Sequence, residues 1–412
     1  MNIFKFGGAS LKNSERIKNV ADIISSHAKE PLIVVVSAMG KTTDALEKIA
    51  ALAFARADFQ KELEEIKTYH LNVCHELFQG EHFAKEIETS FLKLNDVALV
   101  QGEVDYVYDQ IVSFGELISS LILTAYLEYK KSNVLWIDSR QYIKTDDTFR
   151  EGKVDWALTG KNIAALANTT DQLIITQGFI GSTEKNETTT LGREGSDFTA
   201  AIYGSCLGAQ SVTIWKDVPG VMSADPRRIP TALVFDELPY KEAAEMTYFG
   251  ASVIHPKTIK PLANRQIPLL VKSFIDPTVA GTKIHECRVE RLPPLIVHKE
   301  NQCLISCKVT DYTFVDETQM TTILKALSDL NLKINVMQNS AISFSFCIDY
   351  RESKVLKLID VLSKQFEVYY NANLTLITIK NYDAITSSAY RTMKGVILEQ
   401  SSRSTLQVLV KI

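Results

Sequence analysis

The 412-residue chain lacks several short patterns that mark common classes of enzyme. Its six cysteines contain no C-x-x-C pair, and its seven histidines show no spacing typical of zinc ligands, which disfavours a zinc enzyme. No G-x-G-x-x-G sequence occurs, so a dinucleotide-binding fold is also disfavoured. Gly40-Lys41-Thr42 is similar to the end of a Walker A loop, but Val35 stands where that loop needs its first glycine.

The chain also has little excess charge and no long apolar run. Lys and Arg number 45 against 49 Asp and Glu, a net charge of -4, which indicates no basic surface for nucleic acid. No apolar run approaches the roughly 18 residues that span a bilayer, and the N-terminus does not have the pattern of a secretory signal. We therefore expect no nucleic-acid partner, no membrane segment, and reduced cysteines in a cytoplasmic protein.

The apolar pattern of the first two thirds of the chain predicts a parallel α/β domain. Residues 1–6 and 32–37 have the pattern of strands, and residues 14–29 between them carry apolar side chains at helical spacing. Further elements follow: a mostly helical region at 41–130, strands at 133–138, 173–177 and 211–216, and helices at 197–207 and 240–249. Gly, Pro and charged residues cluster at 276–294, so we place the domain at 1–292.

Residues 293–412 have a different pattern. Strands at 302–309, 332–338, 341–349 and 366–370 alternate with helices at 317–330 and 351–365. This β-α-β-β-α-β order predicts a ferredoxin-like α+β module at about 300–370. A second copy at about 371–412 has strands at 373–380, 395–400 and 404–411 but no last helix, so we expect it to be truncated.

The first candidate site is the turn that follows the first strand, Lys5-Phe6-Gly7-Gly8-Ala9-Ser10. Two glycines let backbone amides approach an anion, and the N-terminus of the next helix adds partial positive charge. A lysine at the strand end supplies a full charge for phosphate oxygens. A glycine turn beside a lysine is also common as a purely structural feature, so both interpretations stay open here.

Two further segments place polar groups in apolar surroundings. The strand ending at Ser37 is followed by Thr43 and Asp44, which suits either a ligand at the carboxyl end of a strand or a simple helix cap. Glu116 lies in an apolar helix, where a carboxylate needs either a structural partner or a ligand.

The segment 176–197 has the most residues suited to chemistry. Arg193, between Gly192 and Gly195, can donate bidentate hydrogen bonds to a substrate carboxylate. Ser196 and Asp197 lie where a helix N-terminus binds anions or a metal-bound phosphate, although Asp197 also suits a simple N-cap. A further strand is followed by a turn at 216–220 and by the segment 224–227. This region suits either a nucleotide-binding loop or a loop with no ligand.

Taken in order, these segments resemble the aspartate kinases of the amino acid kinase superfamily over almost the whole chain. The motifs that carry the resemblance are KFGGAS at 5–10, VVSAMGKTTD at 35–44, SFGEL at 113–117, TQGFIG at 176–181, TTTLGREGSD at 188–197, KDVPGVMSADPR at 216–227 and EMTYFGASVIHPKT at 245–258. The resemblance implies a three-layer α/β fold with a mostly parallel central sheet, followed by ACT-type regulatory modules. It implies that Mg-ATP phosphorylates the β-carboxylate of L-aspartate, the first step toward lysine, threonine and methionine.

The resemblance also implies roles for the matching residues. The catalytic residues are Lys5 and Asp197, and no residue is assigned to a protein-bound metal. Substrate aspartate contacts Ser37, Thr43, Glu116, Phe179, Arg193 and Ser196, with its ammonium on Glu116 and a carboxylate on Arg193. ATP contacts Lys5, Gly7, Gly8, Ala9, Lys216, Asp217, Met222, Arg227 and Ser252. Of these, Ala9, Lys216, Met222 and Ser252 differ from the residues that are usual in the family.

For the regulatory region the resemblance implies an amino-acid effector and a homodimer. Lysine-inhibited relatives carry Gly-Phe and Asp where this chain has Thr318-Gln319 and Asn335, which leaves lysine, threonine or no inhibitor as open alternatives. We expect exposed strand edges at 302–309 and 404–411 to favour pairing of two chains. Two other functions remain: a related kinase acting on glutamate, carbamate or a nucleoside monophosphate, and a catalytically weak amino-acid sensor.

Overall fold

The computed structural model describes residues 1–27, 30–78, 84–168, 173–250, 254–290, 292–310 and 313–411. The chain divides into two compact units. The first unit comprises Met1–Val221, Val234–Ala244 and Val253–Val289, and the second comprises Met222–Leu233, Glu245–Ser252 and Glu290–Ile412. All six cysteines are free, as expected for reduced thiols.

The first unit is built on a mostly parallel sheet, which confirms the predicted fold class. Its strands are β1 (Asn2–Phe6), β2 (Leu32–Val36), β3 (Val134–Ile137), β4 (Leu173–Gln177), β7 (Ser211–Lys216), β8 (Glu237–Pro239), β9 (Leu269–Ser273) and β10 (Thr282–His285). The described strands run in the order β3-β4-β2-β1-β7-β9-β10-β8, and β9–β10 is the antiparallel pair. A separate hairpin consists of β5 (Ile180–Ser182) and β6 (Thr188–Thr190).

Helices cover both faces of this sheet. They are α1 (Ser14–His27), α2 (Thr42–Phe54), α3 (Gln60–Phe78), α4 (Ala84–Ala98), α5 (Val104–Val112), α6 (Phe114–Tyr129), α7 (Ser139–Tyr142), α8 (Trp156–Ala164), α9 (Gly195–Leu207), α10 (Tyr240–Tyr248) and α11 (Pro256–Ala263), with short 3-10 turns at Gly8–Ser10 and Ala165–Asn168. Side chains alternate along β1, so Phe4 and Phe6 enter the core formed with α1 to α6. Ile3 and Lys5 point to the opposite face, where α9 contacts β1.

One expectation about membranes needs correction. The stretch Val104–Tyr129 is long and apolar enough to cross a bilayer by length and composition, so the expectation that no segment approaches this length is wrong. The most apolar 18-residue part of this stretch is 78% buried inside the structure, as in the core helix of a globular domain.

The second unit is an antiparallel sheet with helices. Its elements are β11 (Leu295–Val309), α12 (Glu317–Asp329), β12 (Ile334–Asn339), β13 (Ser343–Asp349), α13 (Glu352–Leu362), β14 (Phe366–Lys380), α14 (Ala384–Arg391), β15 (Val396–Ser401) and β16 (Thr405–Val410). The β-α-β-β-α-β order predicted for the first module is confirmed. Two long strands are shared by both halves of the sheet: the segment 295–299 of β11 pairs with 376–380 of β14, beside β16. The second half therefore includes a strand that lies before the first module in the sequence.

The sheet order corrects the expected strand edges. Among the described strands the order is β12-β13-β11-β14-β16-β15, so β11 and β16, which contain 302–309 and most of 404–411, are interior strands. The edges are β12 and β15, each with three exposed residues in its second half and one large exposed apolar side chain, Met337 and Ile397. The sequence pattern missed this because β11 begins at Leu295, well before the expected strand at 302–309, and because β14 joins the strands expected at 366–370 and 373–380 into one.

Candidate active site

Four parallel strands of the first unit end at the same edge of the sheet. Their register aligns Phe6 of β1 with Val36 of β2 and Trp215 of β7, and Val36 with Gln177 of β4. Ligands of open α/β sheets bind at such an edge. A cavity of about 620 Å³ opens there, lined by Lys5, Gly8, Ser37, Ala38, Gly40, Thr43, Glu47, Tyr108, Glu116, Arg150, Glu151, Phe179, Gly192, Arg193, Glu194, Gly195, Ser196, Asp197 and Lys216.

A buried carboxylate between two lysines forms one wall of the cavity. Asp197, in the first turn of α9, lies 2.6 Å from Lys5 Nζ and 3.7 Å from Lys216 Nζ. Burial opposes ionisation of Asp197, but the two ammonium groups outweigh burial and hold its pKa below the usual value. Asp197 therefore stays charged and fixes both lysines at the N-terminus of α9, which attracts anions.

The glycine at position 8 is required for the strand ends to approach each other. A Cβ there would lie 2.7 Å from the carbonyl oxygen of Ala38 and 2.9 Å from that of Gly40. The amide of Gly40 donates to Gly8 O at 3.0 Å, and the amide of Ser37 donates to Phe6 O at 3.1 Å. The backbone after β2 is thus locked against the turn after β1, and any larger residue at position 8 would separate them.

Glu116 is a second buried carboxyl group that lines the cavity. Its Oε1 accepts a hydrogen bond from Ala38 N at 3.1 Å, whereas its Oε2 is buried and accepts none from the described residues. Burial raises the pKa of Glu116 to about 8, against the lowering effects of the Ala38 hydrogen bond and the charge of Lys5. A buried carboxylate oxygen without a donor is unfavourable unless a ligand supplies one.

The loop before α9 shapes the remaining wall. Phe179 has a positive φ of 71°, and its amide donates to Thr199 Oγ1 of α9 at 3.0 Å. Arg193 is exposed and forms no ion pair within the part of the chain that the structure describes. Glu194, at φ 54°, has a buried Oε2 that accepts no hydrogen bond from a described residue. The cavity therefore offers a buried carboxyl group at Glu116 and cationic groups at Arg193, Lys5 and Lys216.

The predicted site residues fall into three groups in the structure. Ten line the cavity: Lys5, Gly8, Ser37, Thr43, Glu116, Phe179, Arg193, Ser196, Asp197 and Lys216. Gly7 and Ala9 flank Gly8 in the same turn, and Asp217 follows β7, but these three do not line it. Met222 and Arg227 belong to the second unit, and Ser252 lies outside the described residues. Their contacts with nucleotide stay predictions.

Sequence reasoning missed a second set of cavity residues. Glu47, Tyr108, Arg150 and Glu151 line the cavity, with Arg150 3.9 Å above the Tyr108 ring. Buried Asp109 of α5 holds Arg150 and the β5–β6 hairpin in place. Its carboxylate oxygens accept hydrogen bonds from Arg150 N at 2.9 Å, Thr190 N at 2.8 Å and Thr190 Oγ1 at 2.7 Å. An acidic residue in the apolar stretch of α5 was the available signal, by the reasoning applied to Glu116.

Comparison with known proteins identifies the class of fold and site. Residues 1–273 match the model of the amino acid kinase family. Lysine-sensitive aspartokinase 3 of Escherichia coli is 33% identical over 354 residues, covering 84% of this chain and 78% of that protein. The bifunctional aspartokinase/homoserine dehydrogenase 1 of Zea mays is 32% identical over 383 residues, covering 89% of this chain and 41% of that protein.

Comparison with solved structures also finds aspartokinases. The E. coli aspartokinase III in complex with aspartate and ADP superposes with a TM-score of 0.84 at 29% identity, over 100% of this chain and 96% of that one. The same enzyme with lysine and aspartate superposes with a TM-score of 0.82 at 28% identity, over the same shares of the two chains. The chain belongs to the amino acid kinase family and, within it, to the aspartokinases. It spans about two fifths of the length of its bifunctional plant relatives.

Proposed function

We propose that this chain transfers the γ-phosphoryl group of ATP to the β-carboxylate of L-aspartate, giving 4-phospho-L-aspartate and ADP. The observation that carries the proposal is the buried Oε2 of Glu116, which no described donor satisfies, in one cavity with Arg193 and Lys5. An ammonium group supplies the missing donor, and Arg193 offers two N–H groups to a carboxylate. An amino acid with a second carboxylate meets both requirements and leaves that carboxylate near Lys5. The aspartate and ADP complex of the E. coli enzyme supports this assignment.

The cavity residues suit phosphoryl transfer without a general base. A substrate carboxylate is already a nucleophile at pH 7, so its oxygen attacks the γ-phosphorus while the bond to the ADP oxygen breaks. Lys5, held by Asp197, neutralises charge on the transferring group, and the N-terminus of α9, which lines the cavity, offers backbone N–H groups to phosphate. Positioning and charge neutralisation then supply the rate.

The donor set also suits Mg²⁺, which prefers one or two carboxylates together with substrate phosphates. Asp197 is charged, and Glu194 Oε2 has no described hydrogen-bond donor, so these carboxylates would hold the ion that arrives with ATP. When bound, the ion neutralises negative charge on the β- and γ-phosphates.

A coupled ADP-release assay tests the activity. We expect turnover with Mg-ATP that depends on L-aspartate, and little with L-glutamate or no amino acid. Turnover with another acceptor and none with aspartate would indicate a related kinase. Absence of turnover with every acceptor would indicate a sensor whose kinase domain no longer catalyses.

We further assign catalysis to residues 1–292 and regulation by an amino acid to 293–412. At the predicted effector position Asn335 is already bonded: Asn335 Nδ2 donates to Gln302 Oε1 at 2.7 Å and to Asp349 Oδ1 at 2.8 Å. Thr318 and Gln319 donate their backbone N–H groups to Asp316 in the N-terminal cap of α12. Titration of lysine and threonine against activity decides between the two effectors and none.

We propose a cytoplasmic homodimer in which the pairing uses the edges of the second sheet. Those edges are β12 and β15, each with unpaired backbone groups on its outer side. Light scattering at working concentration tests the dimer, and a monomeric mass would contradict it.

A further inference from the structure

Three potential metal ligands meet at the end of the first sheet that is formed by β10 and β8. Glu237 is the first residue of β8, His285 is the last residue of β10, and Cys287 follows two positions later. Their ligand atoms, one carboxylate oxygen, one imidazole nitrogen and one sulfur, all lie within 4.8 Å of one another. None of the three lines the aspartate cavity.

The strand pairing explains why the three side chains converge. β8 and β10 are adjacent and parallel, with Lys283 opposite Glu237 and His285 opposite Pro239. β10 ends at His285 and the chain bends at Glu286, which brings Cys287 back beside His285 within the 4.8 Å cluster. The sequence spacing alone did not indicate a metal site, because the third ligand comes from a strand almost fifty positions earlier.

The state of His285 favours a ligand over a simple packing role. Its Nε2 is buried and forms no hydrogen bond with the residues that the structure describes, yet it lies 3.2 Å from Glu237 Oε1. A buried ring nitrogen that makes no hydrogen bond carries a desolvation cost that a metal bond removes. Glu237 has 53% of its side chain exposed, so the cluster is open to solvent on the Glu237 side.

We propose that Glu237, His285 and Cys287 bind a Zn²⁺ ion. Imidazole and thiolate are the ligands that zinc prefers in proteins, whereas Mg²⁺ and Ca²⁺ require oxygen. One thiolate and one carboxylate balance the charge of a divalent cation. Three protein ligands leave the fourth tetrahedral position to water on the exposed side. The ion links the three-residue strand β8 to β10 and so stabilises this sheet edge.

Cobalt substitution tests the site directly, because Co²⁺ adopts the same tetrahedral geometry and reports a bound thiolate. The full-length reduced protein, freed of metal with a chelator, is titrated with Co²⁺ while the thiolate-to-cobalt charge-transfer absorption in the near ultraviolet is followed. We expect one equivalent to bind and Zn²⁺ to displace it. Zinc should also raise the thermal unfolding midpoint of the wild-type chain.

Matched variants identify the ligands. Cys287→Ser should abolish the charge-transfer band, and His285→Gln should weaken Zn²⁺ binding roughly tenfold or more, at least as much as losing an outer-shell partner costs. Cys206→Ser is the control, because Cys206 is a similarly half-buried free cysteine in α9 outside the cluster. No band in the wild-type protein, or an undiminished band in Cys287→Ser, would overturn the proposal. Neither result would affect the kinase assignment, which is measured separately by aspartate-dependent ADP release.

Discussion

The two units differ in how their carboxylates are satisfied. In the first unit, Glu116 is buried with one oxygen that no described donor reaches, and burial raises its pKa to about 8. In the second unit, Asp349 Oδ1 accepts hydrogen bonds from Gln302 at 3.0 Å and Asn335 at 2.8 Å, and Lys299 Nζ lies 2.7 Å away. Partial burial opposes ionisation of Asp349, but these donors outweigh it and lower its pKa.

This difference separates a ligand site from a structural network. The Asp349 network is complete without any ligand, so its charges stabilise the sheet of β11, β12 and β13. Glu116 has no donor on Oε2, so burial favours its protonated form in the folded chain, and an ammonium group of the substrate would favour the ionised form. Four substitutions, taken from the largest expected effect to the smallest, test this comparison.

Lys5→Ala should give the largest effect. It removes the cation beside Asp197, and we expect kcat for aspartate-dependent ADP release to fall roughly 10³-fold, as for loss of a charge-stabilising group. Lys12→Ala is the control, because Lys12 is exposed and does not line the cavity. Circular dichroism checks that the fold is retained. An unchanged kcat would place the phosphate site elsewhere.

Asp109→Ala tests whether a fully satisfied carboxylate of the first unit is structural. It leaves three donors of Arg150 and Thr190 unpaired, and we expect a loss of about 3 kcal/mol in the free energy of unfolding. Asp109→Asn keeps an acceptor and should lose much less. Denaturant unfolding measures both, and equal losses would show that the hydrogen bonds do not matter.

Glu116→Gln separates binding from stability. The neutral amide cannot balance an ammonium, so KM for aspartate should rise roughly tenfold or more, with a smaller change in kcat. Ionised Glu116 is the binding form, so the wild-type KM should fall as pH rises from about 6.5 toward 8, the pKa that burial gives Glu116. A KM that shows the same pH dependence in the variant would contradict this.

The same substitution has the opposite effect on stability. The folded pKa of Glu116 lies above its ordinary value of 4.5, so the folded state holds a proton that the unfolded state releases between 4.5 and about 8. Wild-type stability should therefore decrease as pH rises through this window. In Glu116→Gln the side chain at position 116 does not titrate, so this decrease in stability is absent. At pH 8 the variant should therefore have the higher thermal unfolding midpoint.

Lys299→Met should give the smallest effect. Lys299 contacts Asp349 at 2.7 Å and Asn335 at 2.9 Å in a half-buried network, so we expect a loss of about 1 kcal/mol in unfolding free energy. KM for aspartate without effector should not change. Lys308→Met on the same strand, where the partner Glu367 is 3.9 Å away, is the control. A larger effect on KM than on stability would show that this network belongs to a ligand site.

Many strands and helices of the first unit can be predicted from the spacing of apolar residues along the chain. The strand that contains Lys5, the strand that ends just before Ser37 and the helical region at 41–130 have apolar patterns that depend on neighbours in sequence. The ten predicted site residues that line the cavity were named by the resemblance of their motifs to the aspartate kinases, and they lie near the ends of strands and helices. Arg150 could not, because its place in the cavity depends on a hydrogen bond between its backbone N–H and Asp109 of α5, which is 41 positions earlier in the chain.

The amino-acid sequence by itself determined the α/β class, the ferredoxin-like order of the last third and the residue types of the cavity. Tertiary structure alone decided which strands are edges, that 295–299 completes the second half of the last sheet, and that Glu237 joins His285 and Cys287. The physical reason is that periodicity records only which side of an element is buried. Pairing, register and the satisfaction of a buried charge depend on residues that are distant in sequence and meet only in the folded chain.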